Sequence, residues 1–330
     1  MTDNACAKEQ RIPGVDGVHY HKMEAAVAFL DLLGFKQYVS SDQDAAYHLL
    51  EDYKEILISK LSDKKNHPSS TYDNKELGQY AKKVSIEDFN YFLPFSDSII
   101  IVSKSPDAFL NQLSAFLYDC FYFKKNAYAN PINNENITKS EIINIPSRSI
   151  TKTHCYPVLF RVGLSYGECM AFPAATIIDD NYRTHCNLFG HPYIKAVALE
   201  QSGEKGPRVI CDDAFCNTLS PQSKAFVQQI SGSQYYELLW VGLHIYDSTS
   251  GEDMKNTFLQ LVDIACKFWN MYAKDAKTEP HYRQFLRLIY HSARKVDCLT
   301  NNDISNQLLT QIEQVCKANI VDGFLESIAK

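Results

Sequence analysis

From Met23 to Leu30 the chain is almost continuously apolar (Ala25-Ala26-Val27-Ala28-Phe29-Leu30), and it ends on Asp31. An apolar run of this length predicts a short strand. Leu32-Leu33-Gly34-Phe35 then turns into a helical pattern. Tyr47, Leu50, Tyr53, Ile56, Leu57 and Leu61 recur at helical spacing, which predicts one long amphipathic helix over 36–62. The polar stretch 63–81 reads as a loop. Extended segments near Phe89–Phe92 and Ser98–Val102, joined by Pro94-Phe95-Ser96-Asp97, read as a hairpin. Phe109, Leu110, Leu113, Phe116, Leu117 and Cys120 share one face of a helix over 106–124. The Asn-rich stretch 126–153 reads as a surface insertion.

Strands are expected at about 157–166 and 167–177, a helix at 190–202 and a strand at 208–211. A helix over 221–230 and a strand over 235–246 follow. From 253 onward the pattern is helical, with one stripe of Phe258, Leu261, Val262, Ala265, Cys266 and Trp269 and another of Phe285, Leu286, Ile289 and Tyr290. No internal repeat is visible. The pattern divides the chain into a polar leader (1–23), a mixed core (24–248) with insertions near 63–81 and 126–153, and a helical extension (249–330).

Composition narrows the classes. Hydrophobic residues make up 45% and charged residues 22%, which supports a buried core and excludes global disorder. A net charge of −6 without a basic run argues against nucleic-acid binding. No apolar stretch reaches the roughly 18–20 residues that span a bilayer. Met1-Thr2-Asp3-Asn4 lacks the features of a signal peptide, so a cytoplasmic protein without a membrane partner is expected. The ten cysteines contain no C-x-x-C pair and read as buried or incidental thiols rather than a zinc site.

Asp31 and Asp97 are the candidate chemical residues. Each follows or adjoins an apolar strand, where an acid is costly unless exposed or paired with a cation. Two such carboxylates brought together repel, and a divalent cation shared with substrate phosphates resolves the repulsion. The structural alternative is that Asp31 caps a helix and Asp97 makes a turn. Gly203-Glu204-Lys205-Gly206 lacks phosphate-loop spacing and reads as a turn, and Arg161 reads as a structural strand residue.

Four segments, in order, carry a resemblance. Phe29-Leu30-Asp31-Leu32-Leu33-Gly34-Phe35 resembles the F-x-D-x-x-G-F signature of class III nucleotidyl cyclases. Phe95-Ser96-Asp97-Ser98 resembles the hairpin with their second metal-binding Asp, Ser96 standing in the usual Gly position. Phe160-Arg161-Val162-Gly163-Leu164-Ser165-Tyr166-Gly167-Glu168 is similar to their R-[IV]-G-[IL]-x-x-G-E strand and turn. Asn187-Leu188-Phe189-Gly190 and Ala196-Val197-Ala198-Leu199-Glu200 are similar to the dimer-interface helix and its entry. Within the family the chain most resembles the pyrimidine cyclases of the Pycsar anti-phage system.

The resemblance implies an α+β fold, a ferredoxin-like antiparallel sheet flanked by helices, with the C-terminal helices outside the shared core. It implies two divalent cations, Mg²⁺ or Mn²⁺, held by Asp31, Asp97 and the Leu32 carbonyl. Amides near Leu33, Gly34 and Phe35 would cradle phosphate. It also implies a homodimer with composite sites, and a product that acts on a separate cyclic-nucleotide-binding effector.

Departures from the family pattern shape the rest. The base-reading positions hold Leu93 and Asn187, which match neither the adenine nor the guanine pair. The positions of the ribose-holding Asn and transition-state Arg hold Ile194 and Ala198. Arg183 and Lys195 are the candidates for the missing positive charge. The implied function is conversion of CTP or UTP to the 3′,5′-cyclic monophosphate and pyrophosphate. The alternatives are a purine cyclase with an unusual pocket and a non-catalytic nucleotide-binding module.

Overall fold

The structure, a computed structural model, describes residues 9–11, 19–41, 43–66, 68–122, 141–145, 148–152, 158–178 and 181–330. Its strands are β1 (Glu9–Arg11), β2 (His19–Leu32), β3 (Tyr91–Phe95), β4 (Ser98–Ser103), β5 (Glu141–Ile145), β6 (Arg148–Lys152), β7 (Phe160–Ile178), β8 (Asn181–Gly190), β9 (Val209–Cys211), β10 (Val227–Gln229) and β11 (Tyr236–Leu238). The main sheet runs β10-β11-β9-β7-β2-β4-β3, with β1 paired to β2 and β8 to β7; β5 and β6 form a separate hairpin. Every pairing is antiparallel except β7 with β9. The fold is thus α+β, a largely antiparallel sheet flanked by helices, as expected.

β2 is the central strand, and its period of two sorts side chains between the faces. Ala26, Ala28, Leu30 and Leu32 enter the larger core, under the helices Gln43–Asn66 and Pro106–Tyr122. Ala25, Val27 and Phe29 enter a smaller cluster with Ile100, Val102, Cys169 and Ala171. Asp31 keeps the alternation of this second face. The helix His191–Glu200 covers part of it, seated against β7 at Gly163. A Cβ on Gly163 would lie 1.8 Å from the Ala196 carbonyl oxygen and 2.6 Å from the Glu200 nitrogen. Only glycine allows the helix that close, and the contact delivers Glu200 to the sheet.

The structure corrects several expected elements. The helix expected over 36–62 is seen as Phe35–Ser41 and Gln43–Asn66 and runs on to Asn66, with residue 42 outside the described residues. The polar stretch 63–81 is largely helical: Lys75–Val84 is capped by the Asn74 side chain, which accepts from the Glu76 and Leu77 amides. Leu77, Tyr80, Ala81 and Val84 recur at helical spacing along it, but none is buried, and the four charges Lys75, Glu76, Lys82 and Lys83 around them make the stretch read as polar. The two strands expected over 157–177 are one strand, β7, and the partner β8 covers the stretch before the helix at 191. Over 221–230 a short helix, Pro221–Lys224, gives way to β10. Over 235–246 β11 ends at Leu238 and Trp240–Ser248 is helical; Leu238-Leu239-Trp240-Val241 is apolar throughout, so periodicity could not separate the two. At the N-terminus, β2 starts at His19 and β1 pairs with it, so part of the leader joins the sheet. Of the insertion, 123–140 lies outside the described residues, while β5 and β6 occupy its end.

The C-terminal part is helical, with Gly251–Tyr272, Glu279–Thr300, Ile304–Cys316 and Phe324–Ala329. Phe258, Leu261, Phe285, Ile289, Leu308 and Ile312 belong to the same buried cluster as Leu113, Phe116 and Phe121. Phe285 meets Phe121 edge-on at 5.0 Å and stacks on Trp240 at 6.3 Å. Among the described residues no helix is long and apolar enough to cross a membrane, and the cysteines are free thiols, mostly buried.

Candidate active site

Strand register sets the site. Asp31 on β2 stands opposite Arg161 on β7 and opposite Ser98 on β4. The Leu32 amide donates to the Asp97 carbonyl at 2.9 Å, tying the end of β2 to the β3–β4 turn. Asp31 and Asp97 therefore face one cavity of about 300 Å³, whose wall continues through Leu32, Leu33, Gly34 and Phe35. Gly34 has φ +84°, a left-handed conformation that bends the strand end into the helix at Phe35. Ser96 adopts φ +51° in the hairpin turn, a conformation that costs a non-glycine residue about 1 kcal/mol.

The Arg161 guanidinium bridges two acids. Its Nη2 lies 2.6 Å from Asp31 Oδ2 and 2.7 Å from Glu200 Oε1. The Ser98 hydroxyl is at the limit of donation to Asp31 Oδ1, 3.5 Å away. Glu200 is buried, its side chain only 3% exposed. Its contact with Arg161 is ionic without hydrogen-bond geometry, so Glu200 Oε1 and Arg161 Nε are buried without hydrogen-bond partners among the described residues. Burial pushes the Glu200 carboxyl above its ordinary range; Arg161 opposes this, and Asp31 and Asp97 add to it.

This arrangement makes stability depend on pH once Arg161 is gone. A carboxyl whose pKa is higher folded than unfolded contributes stability that is fully present below the unfolded value and lost as pH rises through the folded one. Arg161→Leu removes the main group holding Glu200 ionised. It is expected to destabilise the fold by about 2 kcal/mol at pH 8, where the buried carboxylate lacks its partner, and by clearly less at pH 5. Urea unfolding at both pH values measures this. Equal losses at both would remove Glu200 as the cause.

The opposite wall comes from the C-terminal helices. Tyr272, Lys277, Thr278, His281 and Tyr282 line the cavity, with Lys36 and Gln37 beside the Gly34 turn. Nothing in the sequence pointed to them: 273–281 reads only as the polar break between two apolar stripes. Glu200 also went unread as a site residue, although an acid ending the apolar run Ala196–Leu199 was a signal. Arg161, read as structural, faces the cavity.

Other expected residues stand elsewhere. Leu93 is partly buried against the smaller cluster, and Asn187 is exposed on β8. Lys195 is exposed on the helix His191–Glu200, beside Ile194 and Ala198. None of these lines the cavity. Arg183 is on β8, opposite Thr176; its side chain lies outside the described residues. The Leu33 amide donates to the Leu159 carbonyl at 2.8 Å, so Leu33 serves the cavity as wall and not as a phosphate donor.

Among the described residues no group of three or more His, Cys, Asp or Glu side chains is placed to hold a metal ion. The Asp31 and Asp97 carboxylates and the Leu32 carbonyl are hard oxygen donors. Such a set suits Mg²⁺ or Mn²⁺ completed by phosphate oxygens rather than an ion needing thiolate or imidazole. Arg161 occupies Asp31 Oδ2 at 2.6 Å, and Oδ1, met only by the Ser98 hydroxyl at 3.5 Å, is the oxygen left for a cation.

No protein-family model matches the chain, and no curated protein does. Similar solved structures are nucleotidyl cyclases by name. The adenylyl cyclase CyaB from P. aeruginosa has 13% identity and a TM-score of 0.37, over 66% of this chain and 95% of that one. A guanylyl cyclase has 11% identity and a TM-score of 0.35, over 66% and 92%. An adenylate cyclase from Trypanosoma brucei has 15% identity and a TM-score of 0.34, over 66% and 90%.

Proposed function

We propose that the chain is a nucleotidyl cyclase that makes a 3′,5′-cyclic pyrimidine nucleotide from CTP or UTP. The observation that carries this reading is the convergence of Asp31, Asp97, the Gly34 turn and Arg161 on one cavity. In the reaction the ribose 3′-oxygen forms a bond to its own α-phosphorus, the α–β bridging bond breaks, the hydroxyl proton is lost, and pyrophosphate leaves. Asp31, Asp97 and the Leu32 carbonyl would hold two divalent cations. The chemistry these supply when bound is a lower hydroxyl pKa and neutralised triphosphate charge. The chain's own part is positioning and charge. Arg161, anchored by Glu200, keeps the Asp31 carboxylate aimed at the cavity and places positive charge at its edge.

The base residues stand apart from the cavity within one chain, which is compatible with a homodimer whose sites draw on both protomers. The exposed side of the helix His191–Glu200, where Ile194 is 66% exposed, is a surface for that contact. Leu93 offers bulk and no hydrogen bond, and the Asn187 amide offers one donor and one acceptor edge. The edge that Asn187 can meet, an amino or carbonyl group beside a ring nitrogen, is common to pyrimidines and purines, so the preference for a small base rests on the bulk of Leu93. Asn187 serves cytosine or uracil by flipping, so the choice between them does not rest on it. By resemblance, the product would act on a separate effector in an anti-phage response.

The test is incubation with each of the four ribonucleoside triphosphates and Mn²⁺, with product identified by mass. Cyclic CMP or cyclic UMP is expected. Faster turnover of ATP than of both pyrimidines overturns the base reading alone, and no cyclic product from any leaves a binding module. Leu93→Lys combined with Asn187→Asp is expected to lower pyrimidine turnover while Asp31 and Asp97 are untouched.

A further inference from the structure

We propose that Lys277, carried by the connector between two C-terminal helices, binds the polyphosphate of the nucleotide from within the same chain. The proposal rests on the cyclase reading above.

Charge within the cavity is the starting point. Its ionised lining consists of two acids, Asp31 and Asp97, and three cations, Arg161, Lys36 and Lys277. Arg161 is committed to Asp31 and Glu200. A nucleoside triphosphate and two aspartates together carry more negative charge than two divalent cations cancel. The remainder falls to the two lysines, one on each wall.

Lys277 is not spent elsewhere. The neighbouring acid, Asp275, uses Oδ1 to accept from the Lys277 backbone amide at 2.9 Å and Oδ2 to accept from the Thr278 hydroxyl at 2.7 Å. The Thr278 hydroxyl and the Lys277 amide hold the Asp275 carboxyl below its usual range, and the Lys277 charge adds a smaller pull in the same direction. The Lys277 charge is attracted to the Asp275 carboxylate but makes no direct ion pair with it, so its ammonium keeps its donors for a ligand in the cavity.

The connector is also fixed in place, so aiming Lys277 at a ligand costs little ordering of the backbone. Asp275 donates its amide to the Tyr272 carbonyl at 2.8 Å and accepts from the Glu279 amide at 2.8 Å. Tyr272 stacks on Tyr282 at 5.1 Å with the rings 4° apart, and Tyr282 stacks on Phe268 at 5.6 Å. His281 Nδ1 accepts from the Gly206 amide at 3.0 Å, which docks the first turn of the helix after the connector on the turn Gly203–Gly206. That bond leaves the ring proton on Nε2. Burial and the nearby Lys205 and Arg161 lower the His281 pKa to about 4, so the ring is neutral at neutral pH and does not supply the charge itself.

Inorganic tripolyphosphate with Mg²⁺, which has no base, is the probe, and calorimetry on the full chain is the readout. Lys277→Ala is expected to weaken tripolyphosphate binding by about tenfold, as loss of one charge-assisted phosphate contact. It should raise KM for the nucleotide more than it lowers kcat. Lys277→Arg is expected to restore binding to within about threefold, since either cation reaches phosphate. Lys274→Ala, an exposed connector lysine outside the cavity, should bind like the wild type. Wild-type affinity in Lys277→Ala overturns this proposal and leaves the cyclase reading intact. A wild-type chain that neither binds tripolyphosphate nor cyclises any nucleotide overturns both.

Discussion

Asp31→Ala is expected to cut cyclic-nucleotide formation by at least ~10²-fold, about 2.7 kcal/mol of transition-state stabilisation. Asp97→Ala should do the same. Both residues present their carboxylates to the one cavity that also contains the Gly34 turn, so each supplies charge no neighbour replaces. The losses should not come from unfolding. After Asp31→Ala, Arg161 keeps Glu200 at 2.7 Å, so no buried carboxylate is left without a cation. After Asp97→Ala, the contact to the Leu32 amide survives, because the backbone carbonyl of residue 97 accepts it. Asp31→Asn keeps the shape and removes only the charge, and it should be nearly as inactive. Product mass measured at saturating nucleotide, with circular dichroism melts alongside, separates chemistry from folding. Full activity in either alanine variant would remove the cyclase reading and leave a binding module.

The parts of this site legible in the sequence are those that depend on neighbours along the chain. A strand ending in Asp31, the glycine three residues on, and the turn before Ser98 are local features. The structure places them together through the β2–β4 register. What the sequence could not display was long-range pairing. Arg161 meets Asp31 across 130 residues because β7 runs antiparallel to β2 in one register; a slip of one residue would send it to the other face. Glu200 meets the same guanidinium only because Gly163 lets its helix approach. The wall of Tyr272, Lys277 and His281 depends on how the last helices dock, which no spacing encodes. Element type failed where apolar runs are short and continuous, as at Leu238–Val241, and where a short surface helix carries its stripe among charged residues, as at Lys75–Val84.

Removal of residues 250–330 is expected to leave no soluble folded protein. The helices from Gly251 onward do not sit on a finished surface. Their Phe258, Leu261, Phe285, Ile289 and Leu308 are fully buried in the same cluster as Leu113, Phe116, Phe121 and Trp240. Deleting them exposes that apolar layer as one contiguous patch, far beyond what soluble monomers carry. It also deletes the cavity wall that contains Lys277. A graded version of the experiment removes one side chain. Phe285→Ala takes away the ring that meets Phe121 at 5.0 Å and Trp240 at 6.3 Å, and should cost about 3–5 kcal/mol in urea unfolding. Soluble yield and size-exclusion elution report the truncation. A soluble, active chain ending at 249 would make the extension a separate module, and it would remove any need for its lysine at the phosphates.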